Sequence, residues 1–170
     1  MTVPAGGVAA NDTIIVTLAM DPAADSSDPT HPAGVTDTKG NTYTKDADVT
    51  IGSGTSGVRT VVFSAPVGTA LVSGNTITVT HPSAAAKAVS VSEFSGLLTS
   101  SPTDQSGTAT GTTSPLSATT SGAISQIQEL VIGAFGREGK LADFSAVGSG
   151  FTGLTRFSSG NSGSTDLHIT

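Results

Sequence analysis

The sequence predicts an all-β protein, a two-sheet antiparallel β-sandwich of the jelly-roll or Greek-key kind. Several short segments alternate apolar residues with Thr or Ser, which is the two-residue period of a strand with one buried face. Thr, Ser, Gly and Ala are abundant, and these residues suit exposed strand faces and turns. Charged residues make up only 12% of the chain, so the Glu, Lys and Arg that long amphipathic helices need are scarce.

Residues 74–96 are the stretch around which we expect the chain to be organised. Thr76–Thr80 and Ala88–Phe94 both alternate small hydroxyl residues with branched apolar residues. The segment between them contains Pro82, which cannot continue a hydrogen-bonded ladder. The pattern therefore predicts a β-hairpin made of these two strands.

The second strand of this predicted hairpin has a conflict between its two faces. Glu93 lies on the same face as Val89 and Val91, whereas Phe94 points the other way. A β-bulge near Ser92 would turn Phe94 inward and release the carboxylate towards solvent. We therefore predict a bulge at this position.

The remaining strands are predicted from apolar rows and alternation along the rest of the chain. The most apolar run, Gln128–Phe135, is expected to be a buried strand, and Leu116–Thr120 is expected to be a short edge strand. Gly and Asn residues predict turns at residues 38–41 and 52–57. The other predicted strands are Thr13–Met20, Val35–Asp37, Thr42–Asp48, Val58–Ala65, Phe151–Phe157 and Asp166–Thr170.

A faint internal repeat divides the single predicted domain, residues 1–170, into two pseudo-halves. The first covers about residues 11–97 and the second about residues 116–170, and a Ser/Thr/Gly-rich crossover at residues 98–115 joins them. Each half places a polar turn before an apolar strand and then continues with a loop and shorter strands. This pattern fits two similar halves of a β-sandwich.

The second half is shorter than the first by about two strands. If the halves are equivalent, the last strand is left without a neighbour, and such an edge pairs with a strand from another chain. We therefore predict an interaction edge in which His168 faces solvent. The alternative is that the halves were never equivalent, or that the chain is truncated. The predicted edge consists of Asp166, Leu167, His168, Ile169 and Thr170.

Charge and composition exclude several kinds of partner. The net charge is −6 with only 7 Lys and Arg, and no basic run is present, so we expect no nucleic-acid binding. No apolar run approaches the ~20 residues of a membrane span. The absence of cysteine excludes disulfides and thiolate metal sites.

The sequence contains no recognisable catalytic motif, so we expect that the protein is not an enzyme. There is no G-x-S-x-G nucleophile elbow. Glu93 and Glu129 are two strand-associated carboxylates that would have to face each other to act as a glycosidase pair. The alternative for each of them is a solvent-facing or bulge position.

An acidic loop contains the candidate cofactor site, which would bind calcium. Asp21, Asp25 and Asp28 lie in this loop with His31 close by, and Ca²⁺ takes six to eight oxygen ligands. The spacing lacks the ordered ligand positions and the final Glu of an EF-hand. A solvated acidic loop is therefore the alternative.

Two further chemistries have candidate residues. Tyr43 and Phe144 are the aromatic residues that would stack on a glycan, although a core role is the alternative for Tyr43. An internal isopeptide cross-link would need Lys45 or Lys87 beside a carboxyl group such as that of Glu93.

The most specific motifs are VTDTKGNTYT at Val35–Thr44 and SVSEFSG at Ser90–Gly96. With them, the region from about Asn11 to Phe135 resembles a loosely defined group of β-sandwich modules from bacterial extracellular proteins and bacteriophage virion proteins. Such modules usually carry a further strand pair after the position that corresponds to Thr170. The resemblance implies a structural or adhesive role and supplies no catalytic motif.

These observations together predict a non-enzymatic structural or assembly module on an extracellular or virion surface. A phage decoration, tail or fibre protein and an extracellular filament subunit both fit this description. The expected partners are copies of the chain itself or a structural scaffold protein, which would pair through strand edges. The alternative is a glycan- or calcium-dependent adhesion module, whose partner would be a surface glycan.

Overall fold

The computed structural model describes residues 1–140, 147–160 and 162–170 and shows the predicted all-β chain. Every strand pair in these regions is antiparallel. A short 3-10 turn at Asp25–Ser27 is the helical element of the described residues. The strands are β1 (Thr13–Met20), β2 (Gly34–Asp37), β3 (Thr44–Ser53), β4 (Ser56–Pro66), β5 (Ile77–Thr80), β6 (Lys87–Phe94), β7 (Gly136–Glu138), β8 (Phe157–Ser158) and β9 (Leu167–Ile169).

The strands form three hydrogen-bonded sheets. The main sheet has four strands in the order β3-β4-β1-β6. A two-stranded sheet, β2-β5, packs on one of its faces, and a C-terminal sheet with the order β7-β9-β8 packs on the other. The main sheet is therefore the middle layer of the sandwich.

Strand β1 is buried on both faces because it lies inside this middle layer. Its apolar row, Ile14, Val16, Leu18 and Met20, is fully buried and belongs to the larger core. On the opposite face, Ala19 is also fully buried and belongs to the second core. The alternation that predicted Thr13–Met20 as a strand was correct, and its bounds are those of the structure.

The first face of the main sheet is covered by β2, β5 and the N-terminal segment. The N-terminal segment is held by isolated bridges that pair Thr2 with Thr76 and Val8 with Leu71. The amino group of Met1 donates a hydrogen bond to the Ile77 carbonyl at 2.7 Å. These contacts bring Val8 and Leu71 into the larger core.

The second face is covered by the C-terminal sheet. Leu167 and Ile169 of β9 are fully buried against Ala19, Val58 and Ala88 of the main sheet. The burial of these apolar side chains stabilises the packing of the C-terminal sheet on the main sheet.

A hydrogen bond and a glycine bring the C-terminal sheet close to β4. The backbone N–H of Gly57 donates to the Glu138 carboxylate at 2.6 Å. At Gly136, an added Cβ atom would collide with the hydroxyl of Thr60. A side chain at position 136 would therefore separate the two layers.

The predicted turn at residues 52–57 is confirmed as the connection of the β3–β4 hairpin. Gly52 and Gly57 lie directly opposite each other, with φ values of 87° and 110°. An added Cβ on either residue would meet the backbone of the other strand, so both the conformation and the close approach require glycine.

The predicted hairpin of Thr76–Thr80 with Ala88–Phe94 is wrong. Both segments are strands, but β5 pairs with β2, whereas β6 pairs with β1 in the main sheet. β6 has apolar or small residues on both faces and fits a sheet covered on both sides. Local alternation identified the strands, but it did not specify which sheet each would join.

The predicted bulge near Ser92 is also wrong. The β1–β6 register runs without a shift from the pair of Thr13 with Phe94 to the pair of Met20 with Lys87. The bulge is unnecessary because the second face of β6 is covered as well. Phe94 points to this face, where it lines a small cavity beside residues of the C-terminal segment.

Three further strand predictions fail beyond residue 95. Residues 98–135 are all described and contain no strand, so Gln128–Phe135 and Leu116–Thr120 are not strands. Within Phe151–Phe157, only Phe157 belongs to a strand, β8. The segment before β7 touches the second core only through Ala134, and its large apolar residues Leu130, Val131 and Phe135 are exposed.

The turn at residues 38–41 is confirmed, although the strands on either side of it do not pair. The Gly40 N–H donates to the Asp37 carbonyl at 3.2 Å, and Gly40 has a φ of 74°. β2 and β3 then enter different sheets. The turn therefore carries the chain from the covering layer to the main sheet.

We expect the substitution Gly136→Ala to lower the free energy of unfolding by about 1–3 kcal/mol, because the new methyl group overpacks the contact with Thr60. In a double-mutant cycle measured by urea denaturation, Thr60→Ala should relieve part of this cost.

Gly6→Ala is the matched control, since an added Cβ at Gly6 meets no atom within 4 Å. Equal effects of the two glycine substitutions would contradict the close packing of the C-terminal sheet on β4.

Candidate functional site

The structure separates the three carboxylates of the predicted calcium loop. Asp21 is 4% exposed and lies at the end of β1. Its carboxylate accepts a hydrogen bond from the Ala86 N–H at 2.8 Å, and its own N–H donates to the Ala86 carbonyl at 3.1 Å. Asp21 therefore joins β1 to the beginning of β6.

Asp25 belongs to an ionic network that is centred on Arg59 of β4. Arg59 is buried, with 4% of its surface exposed. It donates to Asp48 through Nε at 2.9 Å and Nη2 at 2.6 Å, and to Asp25 through Nη1 at 2.7 Å. Nη1 also donates to the Ala23 carbonyl at 2.7 Å. The donors of this buried cation are thus largely satisfied by protein groups.

Lys45 completes the network from its exposed side. Its ammonium group lies 2.9 Å from Asp25 Oδ2 and 3.2 Å from Asp48 Oδ2. The other oxygen of Asp25 also accepts from the Ala33 N–H at 2.9 Å. Both oxygens of Asp25 therefore have protein partners.

The network favours the charged forms of Asp25, Asp48 and Arg59. Hydrogen bonds from Arg59 hold the pKa of Asp25 well below its usual range. Burial pushes the pKa of Asp48 upwards, but the hydrogen bonds from Arg59 and Lys45 outweigh it, so the pKa is lowered. The Arg59 pKa is raised, chiefly by its bond to Asp48. All of these groups are charged at neutral pH.

Asp28 lies apart from this network on the exposed side of the loop. It accepts from the Thr30 hydroxyl at 2.7 Å, and His31 Nδ1 lies 3.0 Å from its Oδ2. The Thr30 hydrogen bond lowers the Asp28 pKa. In the described part of the chain, no three His, Cys, Asp or Glu residues are grouped as metal ligands would be. Calcium binding by Asp21, Asp25 and Asp28 stays a prediction that a calcium titration would test.

Of the candidates for an isopeptide cross-link, the structure brings only Lys45 close to carboxylates. Amide formation needs a neutral amine and a protonated carboxyl group, whereas Arg59 keeps the neighbouring Asp25 ionised. The geometry is that of an ion pair. Lys87 approaches the Ala84 carbonyl at 3.4 Å. Intact mass would test the cross-link.

Tyr43 has a structural partner in the Asp37 turn. Its half-buried hydroxyl donates to the Asp37 carboxylate at 3.1 Å, and its ring packs against the larger core. Burial raises the Tyr43 pKa, and the charge of Asp37 raises it further.

The same Asp37 carboxylate accepts from the backbone N–H groups of Lys39 and Asn41 and from the Asn41 side chain. Asn41 is then bonded in both directions to the backbone of Thr69. The motif VTDTKGNTYT thus organises a turn.

Phe144, the other aromatic glycan candidate, lies outside the described residues.

The two glutamates considered as a catalytic pair have separate surroundings. Glu93 accepts from the Ala9 N–H at 3.4 Å, and its pKa is raised by burial and by the neighbouring Asp12. Glu129 accepts from the Gln126 N–H at 3.1 Å, within its own turn.

The prediction that the C-terminal strand is an open edge is wrong. β9 is the middle strand of its sheet, with β7 on one side and β8 on the other. Leu167 and Ile169 are buried in the second core, and His168 is 1% exposed instead of facing solvent. The His168 Nε2 lies 2.7 Å from the Gly139 carbonyl, to which it donates.

The ends of the predicted edge are also engaged. Asp166 accepts hydrogen bonds from the N–H groups of Ser162 and Gly163. Thr170 exchanges two backbone hydrogen bonds with Phe135. The edge was predicted because the second half is shorter than the first by about two strands. The pairing of β9 was missed because its partners β7 and β8 are only three and two residues long.

A surface that the sequence did not predict lies near β7, and we call it the C-terminal apolar surface. We define it by five large apolar side chains that are 37–56% exposed: Phe135, Phe151 and Leu154, which lie around Gly133, and Leu130 and Val131, which precede Gly133 in the same segment. The rings of Phe135 and Phe151 both lie close to Gly133, where an added Cβ would be 3.3 Å from the first and 3.7 Å from the second. The sequence signal was present as the run Gln128–Phe135, which was interpreted as buried.

Comparisons with protein-family models, curated proteins and solved structures found no significant match to the chain. The resemblance to bacterial surface modules and virion proteins therefore stays a prediction. None of the helical segments that the structure describes has the length and apolarity to cross a bilayer.

We expect Arg59→Met to lower the free energy of unfolding at pH 7 by about 3 kcal/mol, because it removes the buried cation and leaves Asp25 and Asp48 paired only with the more exposed Lys45. The folded-state pKa values of these carboxyls are lowered, so the stabilisation is present above their ordinary range and is lost as the pH falls below about 4. The difference between wild type and variant should therefore shrink in urea unfolding at pH 2.5.

Lys45→Met is the control, since this ammonium is a third exposed and should contribute less than about 1 kcal/mol. The proposed role of Arg59 would be contradicted if its substitution were no more costly than that of Lys45.

Proposed function

We propose that the protein is a non-enzymatic structural or assembly module that acts on an extracellular or virion surface. A phage decoration, tail or fibre protein and an extracellular filament subunit are the forms this role would take. Its partners are copies of the chain itself or a structural scaffold protein. The observation that carries the proposal is the C-terminal apolar surface.

Exposed apolar area of this kind favours association. Single exposed apolar residues are normal on a protein surface, but neighbouring ones mark sites that bind another protein. Phe135 and Phe151 lie beside the same glycine, and Val131 is 56% exposed. Covering these side chains with a partner would remove them from water, which is the main favourable term in protein association.

Charge supports the same proposal. Residues 88–136 contain no Lys or Arg, and the only acidic residues in this interval are Glu93, Asp104 and Glu129. A region so poor in charge opposes close contact with a second protein only weakly.

The alternative, a glycan- or calcium-dependent adhesion module, has less support. Asp25 is bonded to Arg59 and Lys45, and the Tyr43 hydroxyl is bonded to Asp37. A ligand at either residue would have to replace these partners.

We expect the purified protein to associate reversibly in multi-angle light scattering as its concentration rises. The double substitution Val131→Ser with Phe151→Ser should raise the dissociation constant about tenfold or more, since it removes two large apolar contacts. Its melting temperature should stay near that of the wild type, because both side chains are about half exposed.

Val72→Ser is the matched control, since Val72 is 58% exposed and follows Leu71, which packs in the core on the opposite face of the main sheet. A wild-type chain that remains a monomer at high concentration would remove the support for assembly.

A further inference from the structure

The two edges of the main sheet differ in how they are protected against strand pairing. The edge strand β3 has a register shift between Lys45 and Ala47, so it contains a bulge. It also carries charges at Lys45, Asp46 and Asp48. Bulges and charges are the usual means by which proteins prevent an edge strand from pairing with another chain.

The opposite edge strand, β6, has no bulge, and the interior of the strand carries no charge. Its register with β1 is continuous over eight residues, and β1 is the only described strand that is hydrogen-bonded to it. Its two charges are at the ends, Lys87 and Glu93, and the residues between them are small or apolar. A regular edge of this length with an uncharged interior is a template for an added strand.

The sequence of β6 is nearly symmetric about Ser90, with opposite charges at its two ends. It reads KAVSVSE from Lys87 to Glu93. In an antiparallel pair of two such strands centred on Ser90, Lys87 lies opposite Glu93 of the second copy, and Val89 lies opposite Val91. Directly opposite residues share a face and interact most strongly.

We propose that β6 pairs antiparallel with β6 of a second copy of this chain, around a two-fold axis at Ser90. The proposal rests on the proposed assembly function and names one of its contacts. The pairing would join two main sheets into one continuous eight-stranded sheet, a closed and symmetric contact of the commonest type.

The charges select this register over its neighbours. A two-fold axis at Val89 or at Val91 would place both charged residues opposite uncharged ones. With the axis at Ser90, two ion pairs form at once, one at each end of the contact. The exposed ammonium of Lys87 would then approach Glu93, beside which Asp12 adds a second carboxyl group.

Cysteine cross-linking tests the axis directly, because the chain has no cysteine of its own. Ser90→Cys would place two thiols opposite each other, and we expect mild oxidation of the full chain to give a covalent dimer in high yield. Ser92→Cys is the matched control on the same strand and face. Its two copies would be about 13 Å apart along the strands, beyond the reach of a disulfide.

Charge reversal tests the register independently of cross-linking. Lys87→Glu and Glu93→Lys should each raise the dimer dissociation constant about tenfold, since each places like charges opposite each other at both ends. A mixture of the two variants should associate as the wild type does, because every like pair becomes an opposite pair. Lys39→Glu is the control for net charge, as Lys39 is exposed in a turn remote from β6.

The outcomes separate this proposal from the assembly function on which it rests. Cross-linking at position 90 but not at 92, together with rescue in the mixture, would establish the pairing. If every variant associated with the same dissociation constant as the wild type, the β6 contact would be overturned, but the assembly function would stand. A wild-type chain that is monomeric in light scattering, with no cross-link at position 90, would overturn both.

Discussion

The burial of β1 on both faces is the constraint on which the rest of the structure depends. Ile14, Val16 and Leu18 fill one core, and Ala19 enters the other, so the strand has no solvent face. A sheet covered on both sides needs two further layers. The chain supplies one from β2, β5 and the N-terminal segment and the other from the C-terminal sheet. The C-terminal layer is only three short strands wide, and apolar residues beyond its core are left partly exposed. The same constraint that completes the sandwich therefore creates the surface to which we assign function.

The sequence predicted the strands of the main sheet well and their partners poorly. Thr13–Met20 and Val58–Ala65 alternate over eight residues, which is long enough for period alone to identify them. Thr76–Thr80 was also identified, but its pairing depends on which core its apolar face enters, and alternation carries no information about that. Gln128–Phe135 was predicted to be a buried strand because it is the most apolar run. In the structure it is not a strand, and it lies at the margin of the second layer.

The candidate site was predictable only in part, because its contacts are long-range. Asp25 was identified as a functional carboxylate, but its main partner, Arg59, is 34 residues away and lies on another element. The pattern of the predicted strand Val58–Ala65, in which Arg59 lies, gives no sign of an ionic partner. The turn formed by Asp37 and Asn41 shows the contrast, since its contacts lie within four residues and its glycine was predicted correctly. The symmetry of the β6 sequence can be read from the chain, but it indicates pairing between two copies only once the structure shows that β6 is an edge strand.

Native-state amide hydrogen exchange, followed residue by residue by NMR, is the most direct measurement of the double-covered main sheet. The account predicts that Leu167–Ile169 exchange nearly as slowly as the central residues of β1, because both open only when the second core is lost. Rapid exchange in β9 alongside slow exchange in β1 and β4 would mean that the C-terminal sheet does not cover the main sheet. That result would contradict the account.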